Sequence, residues 1–265
     1  MMIFRRRVEI HTQHNGEVRA ALEDDFHHFR VSIQHQHGTV TAVKGYAVRF
    51  PFTACPAAAK SLESLIGMSL SEIAHSVTRA TDSRHQCTHM LDLAGLAIAA
   101  AARGTLRRVY DIAIAKRVAG RTAPRLLRDG QQVLQWQTQG TLIESPAPYT
   151  GVDLNHGMAG WAIKTLPPEE AEAALLLRRC TIISRGREFD LDAERHARNT
   201  GLCFAQQPER AEHALRMKGS TQDFTGCEDL LCAGDQDWLA GLEDQIRPTI
   251  PSQTALQPIK KKPAK

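Results

Sequence analysis

Residues 29–50 read FRVSIQHQHGTVTAVKGYAVRF, and this stretch decides the fold class. Phe29-Arg30-Val31-Ser32-Ile33 alternates apolar with polar residues, the period of a half-buried strand. His37-Gly38 supplies a turn and strand character resumes from Val40 to Phe50, so the segment reads as an antiparallel hairpin. The apolar phase slips between Val43 and Tyr46, around Gly45, and a β-bulge at Gly45 is expected there.

Helical signals follow the hairpin. Pro56 suits a first helical position because its missing N–H is harmless there, which places Cys55 at or beside the N-cap. Ala58, Leu62 and Leu65 share one face, and Gly67 is a C-terminal stop. Ser69-Leu70-Ser71-Glu72 has the spacing of a capping box, with Leu70, Ile73, Ala74 and Val77 continuing an amphipathic pattern. After a loop around Thr81 to His85, an Ala/Leu-rich helix is expected from Thr88 to Arg103, ended by Gly104.

The second half carries weaker patterns. Tyr110, Ile112 and Ile114 alternate, and Asp129-Gly130 is a hairpin turn between Leu126-Leu127 and the stretch from Val133 to Trp136. Pro167-Pro168-Glu169-Glu170 starts a helix running toward Cys180, with acids at its positive end. Short helical stretches are expected near Glu209 to Met217 and Glu228 to Leu242. From about Arg247 the tail is rich in Pro, Ser, Thr and Lys, which predicts disorder.

Hydrophobic residues make up 42% of the 265 and charged residues 23%, ordinary for a globular protein, while aromatics are few at 5%. The net charge of +4 and a pI near 8.8 permit an anionic small-molecule or protein partner without arguing for nucleic acid. The longest apolar run, Leu93 to Ala102, is about half of the roughly 20 residues that a membrane span needs. The basic opening Met1 to Arg7 is not followed by an apolar signal core, so six cysteines read as thiols in a reducing compartment and a cytoplasmic location is expected. The phosphate-binding glycine loop, the dinucleotide fingerprint and the nucleophile-elbow serine are missing from the sequence, so no nucleotide cofactor is indicated.

The candidate chemistry lies in Cys55, Cys87 and His89. Both cysteines fall just before a predicted helix and His89 sits in the first turn of the second one. A helix N-terminus carries about half a positive charge, which favours thiolate. Two such ends meeting would offer two sulfurs and an imidazole, three ligands of a tetrahedral zinc or iron site, and Asp24 or Asp25 could complete it. The spacing fits no zinc finger, and the alternative is that both cysteines are buried packing residues. Arg178, Arg179, Arg185 and Arg187 could clamp a phosphate or carboxylate, or else pair with Glu188, Asp190 and Asp192. His35 and His37 share one side of a strand, as a metal pair would, or are solvated edge histidines, as His11, His14, His27 and His28 would also be.

The order of hairpin, Cys55-Pro56, Leu65-Ile66-Gly67 and Cys87-Thr88-His89-Met90 resembles a bacterial family catalogued as domain of unknown function 2889. Trp136, Leu177-Arg178-Arg179, Gly186-Arg187, Leu191-Asp192, Ala214-Leu215-Arg216 and Asp223-Phe224 extend the likeness over nearly the whole chain. That family brings no activity. Residues from about Asp24 to Arg103 also resemble the iron–sulfur cluster scaffold fold, which implies a cluster, zinc or iron site from Asp25, Cys55, Cys87 and His89. The scaffold's first cysteine has no counterpart here, and its histidine precedes the last cysteine instead of following it.

The fold class expected is therefore α+β: a scaffold-like hairpin sheet packed by helices over residues 1–104, a mixed strand and helix extension over 105–246, and a basic tail over 247–265. Three functions stand open. The first is metal binding through Cys55, Cys87, His89 and Asp25. The second is a cysteine enzyme with Cys55 or Cys87 as nucleophile, His89 as base and Arg178, Arg179 and Arg187 holding an anionic substrate such as an acyl-CoA. The third is a non-catalytic binding module. The oligomeric state and the metal are not readable from the sequence.

Overall fold

A computed structural model describes residues 3–242, so the tail beyond Arg247 lies outside the described residues. The fold is α+β. Among the described residues ten strands form: β1 (Ile3–Thr12), β2 (Glu17–Asp24), β3 (His28–Gln36), β4 (Thr39–Arg49), β5 (Arg107–Ala115), β6 (Arg121–Thr122), β7 (Arg125–Arg128), β8 (Gln131–Gln135), β9 (Gln137–Gln139) and β10 (Leu142–Ser145). Five α-helices accompany them among the described residues: α1 (Val77–Ala80), α2 (Thr88–Arg103), α3 (Met158–Thr165), α4 (Pro168–Ile183) and α5 (Gln236–Leu239). One seven-stranded antiparallel sheet runs in the order β4-β3-β2-β1-β5-β7-β8, and a small sheet runs β10-β9-β6. Because β1 pairs with β5 from Ile3↔Ala115 to His11↔Arg107, the large sheet is continuous across residue 104.

The central strands of the large sheet, β2 and β3 above all, are buried on both faces, and strand alternation sorts their residues between them. Phe4, Val8, Ile10, Leu22, Phe29 and Val31 point toward α2, whose Met90, Leu93 and Ala97 are fully buried against them. On the opposite face Ala21 packs with Cys232, Trp238 and Leu239, so the chain's last described segment covers it. In β2 every residue after Glu17 is buried.

The hairpin is β3 and β4, turning at His37 and Gly38 with φ of 50° and 75°. The bulge expected at Gly45 is not there. Gly45 pairs in register with Val31, and the register shifts instead at the two ends of the ladder, between His28/Phe29 and Gln34/His35. Gly45 is needed for close approach: a Cβ would lie 2.9 Å from Leu62 Cδ1 and 3.0 Å from Met90 Sδ. The Cys55–Leu65 helix is a 3-10 helix that buries Ala58, Leu62 and Leu65. The capping box is not realised, since helix begins only at Ala74, where a 3-10 turn leads into the four-residue α1. The long helix α2 has the expected bounds, closed by Gly104 at φ 66°.

Candidate functional site

One of two clusters of side chains that could hold a metal ion sits where β2 turns into β3, under the N-terminus of α2. Asp24 stands directly across from Arg6 in the β1–β2 register. Its Oδ2 accepts from Arg6 Nε at 2.8 Å and also from Arg6 Nη2. Its Oδ1 accepts from the backbone N–H groups of Phe26 and His27, both at 2.7 Å, which fixes the tight turn. The pair is sealed, with Arg6 1% and Asp24 0% exposed. Burial alone would raise the Asp24 carboxyl, but the Arg6 charge and the hydrogen bond from His27 hold it well below the usual range.

His27 Nδ1 lies 3.1 Å from Asp24 Oδ1. An ionised carboxylate only accepts, so Nδ1 carries the proton and Nε2 keeps its lone pair. The His27 ring lies against that of His89, centroids 3.9 Å apart and tilted by 30°, with Phe29 beside both at 5.8 Å. His89 comes from the first turn of α2, behind the N-cap Cys87. Its Nε2 is buried without a hydrogen-bond partner. Burial, then His27 and Arg6, hold His89 well below the ordinary imidazole range, and burial lowers His27 against the pull of Asp24. Both rings are therefore neutral, the form that coordinates metals. Asp24, His27 and His89 each offer a ligand atom, all within 4.8 Å of one another.

A second such group forms on the opposite face of the same two strands, from Glu23, His28 and Asp235. His28 Nε2 is 2.9 and 2.8 Å from the two Asp235 oxygens, and Arg30 Nε also donates to Asp235. Glu23 accepts the backbone N–H of Cys232 at 2.9 Å and lies 3.3 Å from Arg49 Nη2.

The other sequence candidates are placed as follows. Cys55, Cys87 and Cys203 lie in one neighbourhood. Cys55 packs among Ala197, Ala205 and Ala214. Burial pushes the Cys87 thiol up to about 12 and the Cys55 thiol higher still. Among the described residues none of these thiols shares a three-ligand group with His89. Asp25, also fully buried, faces Arg187 at 3.3 Å instead of the imidazoles. Burial first, with Asp24 and Asp223 adding, raises its carboxyl to about 7 despite Arg187. Arg187 also pairs with Asp223 at 2.9 Å, and Arg179 with Asp92 at 2.8 Å. Arg178 donates through Nε to the Leu154 carbonyl. His37 is exposed at its turn.

Sequence reading found His89 but not His27 as its partner, because the run of six N-terminal histidines gave no sign of which ones point inward. The alternation from Phe29 back through His27 is the signal that could have separated His27 from His28.

These features define a class: a buried histidine–aspartate cluster on an antiparallel α+β scaffold. Residues 5–103 match the family described as "Protein of unknown function (DUF2889)". That span holds all of β2, β3, β4 and α2, most of β1, and therefore Arg6, Asp24, His27 and His89. The motifs from Trp136 onward lie beyond it. No curated protein and no solved structure matches the chain. Among the described residues no helix is long and apolar enough to cross a membrane.

Proposed function

We propose that this protein binds one divalent transition-metal ion, zinc or ferrous iron, at the imidazoles of His27 and His89, with Asp24 beside them. The observation that carries the reading is the buried, unpartnered His89 Nε2 stacked against a histidine whose Nδ1 is held by a carboxylate. Leaving a buried polar atom unpaired costs about 1–3 kcal/mol, a cost that a bound ion would remove. Two imidazoles and a carboxylate form the donor set of non-haem iron and of many zinc sites. Asp24 already accepts from Arg6, from two backbone N–H groups and from His27. Its first role is therefore to orient His27, as outer-shell carboxylates do, and solvent or a further side chain would fill the remaining positions.

The thiol readings draw less support. A nucleophilic cysteine needs a lowered pKa, whereas burial raises both Cys55 and Cys87. A transferable iron–sulfur cluster would need thiolates that converge on one centre, and no three-ligand group among the described residues includes a cysteine.

The test is the elemental content of the full chain purified without oxygen, as wild type, His89→Phe and Cys87→Ser. The reading expects zinc or iron near one atom per chain in wild type and Cys87→Ser, and its loss in His89→Phe. Loss in Cys87→Ser with retention in His89→Phe would move the site to the thiols. Metal absent from all three would end the proposal.

A further inference from the structure

A cleft opens away from the imidazoles, between α2, α3 and α4. Its walls are apolar, from Val77, Leu96, Ile163, Ala171, Leu175 and Leu176, with Glu172 toward one end and His75, Asp92, Arg178 and Arg179 toward the other. The charges at that end do not balance. Asp92 is taken by Arg179 at 2.8 Å. Glu172, itself buried, accepts from Tyr110 Oη and from Arg103 Nη2. Burial keeps His75 below the ordinary imidazole range, so it adds no charge at neutral pH. Asp153 acts on Arg178 from a distance, but its oxygens accept from Thr141 and from the Asn155 N–H.

Arg178 is thus left as the uncommitted cation. It makes no ion pair among the described residues, and its one hydrogen bond uses Nε on the Leu154 carbonyl. The Nη1–Nη2 edge of the guanidinium remains, a planar fork matched to the two oxygens of a carboxylate. A half-buried cation without a counter-ion beside an apolar wall describes a ligand with one negative end and one apolar end. The size of the cleft narrows it further. Its free volume is about 50 Å³, a third of the roughly 150 Å³ of an apolar cavity that takes up benzene, so it takes only the two- or three-carbon alkyl end of an acid whose carboxylate stays outside it on Arg178.

We infer that this cleft binds a short-chain carboxylic acid, its carboxylate on the Arg178 fork and its alkyl end against Leu96, Ile163 and Leu175. The inference does not rest on the metal site. A charge-assisted, bidentate pair supplies the specificity, and the apolar wall distinguishes an alkyl acid from an inorganic anion. Arg179, held by Asp92, adds positive potential without offering its own fork.

The test follows backbone NMR signals of the full chain during titration with sodium butyrate at constant ionic strength. Inorganic phosphate, n-butanol and n-butylammonium serve as probes of charge alone, chain alone and the wrong charge. Saturable shifts confined to the cleft with butyrate, absent with the other three, are expected. Arg178→Gln should weaken butyrate about tenfold or more, the loss of a charged hydrogen-bonded pair. Ile163→Trp fills the cleft, keeps every charge and should block butyrate, so it decides the matter if Arg178→Gln fails to fold. Equal response to phosphate, or to butanol, would overturn the inference. So would unchanged butyrate binding in a folded Arg178→Gln or in Ile163→Trp, or no saturable shift at all.

Discussion

The same two strands build two histidine–carboxylate clusters, one on each face, and the two differ in how completely their atoms are used. On the face covered by residues 227–242, both Asp235 oxygens lie within hydrogen-bond distance of His28, Arg30 adds a further bond, and Glu23 takes a backbone N–H. That cluster joins residues 227–242 to the sheet and leaves its acids no vacant role. On the face under α2, Asp24 is as fully used, yet His89 Nε2 ends without a partner. Similar residue types thus make a clamp on one face and a candidate ligand site on the other. The decisive difference is one unpaired nitrogen.

The largest expected effect tests whether both clusters hold the fold at all. Asp24→Ala leaves Arg6 buried and unpaired and should destabilise the protein by about 3–5 kcal/mol in urea unfolding. An effect below about 1 kcal/mol would show that the Arg6–Asp24 pair is not the anchor of the β1–β2 end. Asp235→Ala should come next, at about 3 kcal/mol, because it strands Arg30 and His28. Its signature is local: amide exchange should accelerate in residues 227–242 and stay slow in α2. Uniform acceleration would contradict a clamp confined to one face.

Asp25, in the turn between the two clusters, gives the pH test. Its folded carboxyl is raised to about 7 from an ordinary 3.8, so its contribution to stability is fully present below about pH 4 and is lost as pH rises toward 7. Three units correspond to about 4 kcal/mol. Asp25→Asn also removes the partner of Arg187, so a net gain of about 2 kcal/mol at pH 8 is expected, with a flatter stability profile between pH 4 and 7. A steeper profile would place the Asp25 charge in a favourable setting. The smallest effect sharpens the comparison most. In metal-free protein His89→Phe should change stability by less than about 1 kcal/mol, since it removes an unsatisfied atom, while His28→Phe should cost about 1–3 kcal/mol by unpairing Asp235. Equal costs would erase the distinction between site and clamp.

The elements legible in the sequence are those whose pattern is apolar against polar. The β3–β4 hairpin, α2, the Asp129-Gly130 turn and the Pro168 start of α4 all stand where their residues indicated. β1 and β2 gave no such pattern, because Arg6, Glu9, Arg19, Glu23 and Asp24 are charged and nevertheless buried, each compensated by a group far away in sequence. The same physics hid half of the site. His89 was legible as a helix-start residue and Asp24 as a carboxylate that could join it, but His27 acquires meaning only once β2 has paired with β1 and α2 has closed over the turn. The clamp was beyond reach, since Asp235 lies 207 residues from His28.

A metal held by the His27 and His89 imidazoles without thiolate is tested most directly by cobalt(II) titration of metal-free protein. Cobalt bound to nitrogen and oxygen donors absorbs in the visible, whereas thiolate ligation adds an intense charge-transfer band in the near ultraviolet. The account predicts a saturable visible spectrum at one equivalent, no thiolate band, persistence in His28→Phe and Cys87→Ser, and loss in His89→Phe. A thiolate band abolished by Cys87→Ser, or a spectrum indifferent to His89, would contradict it.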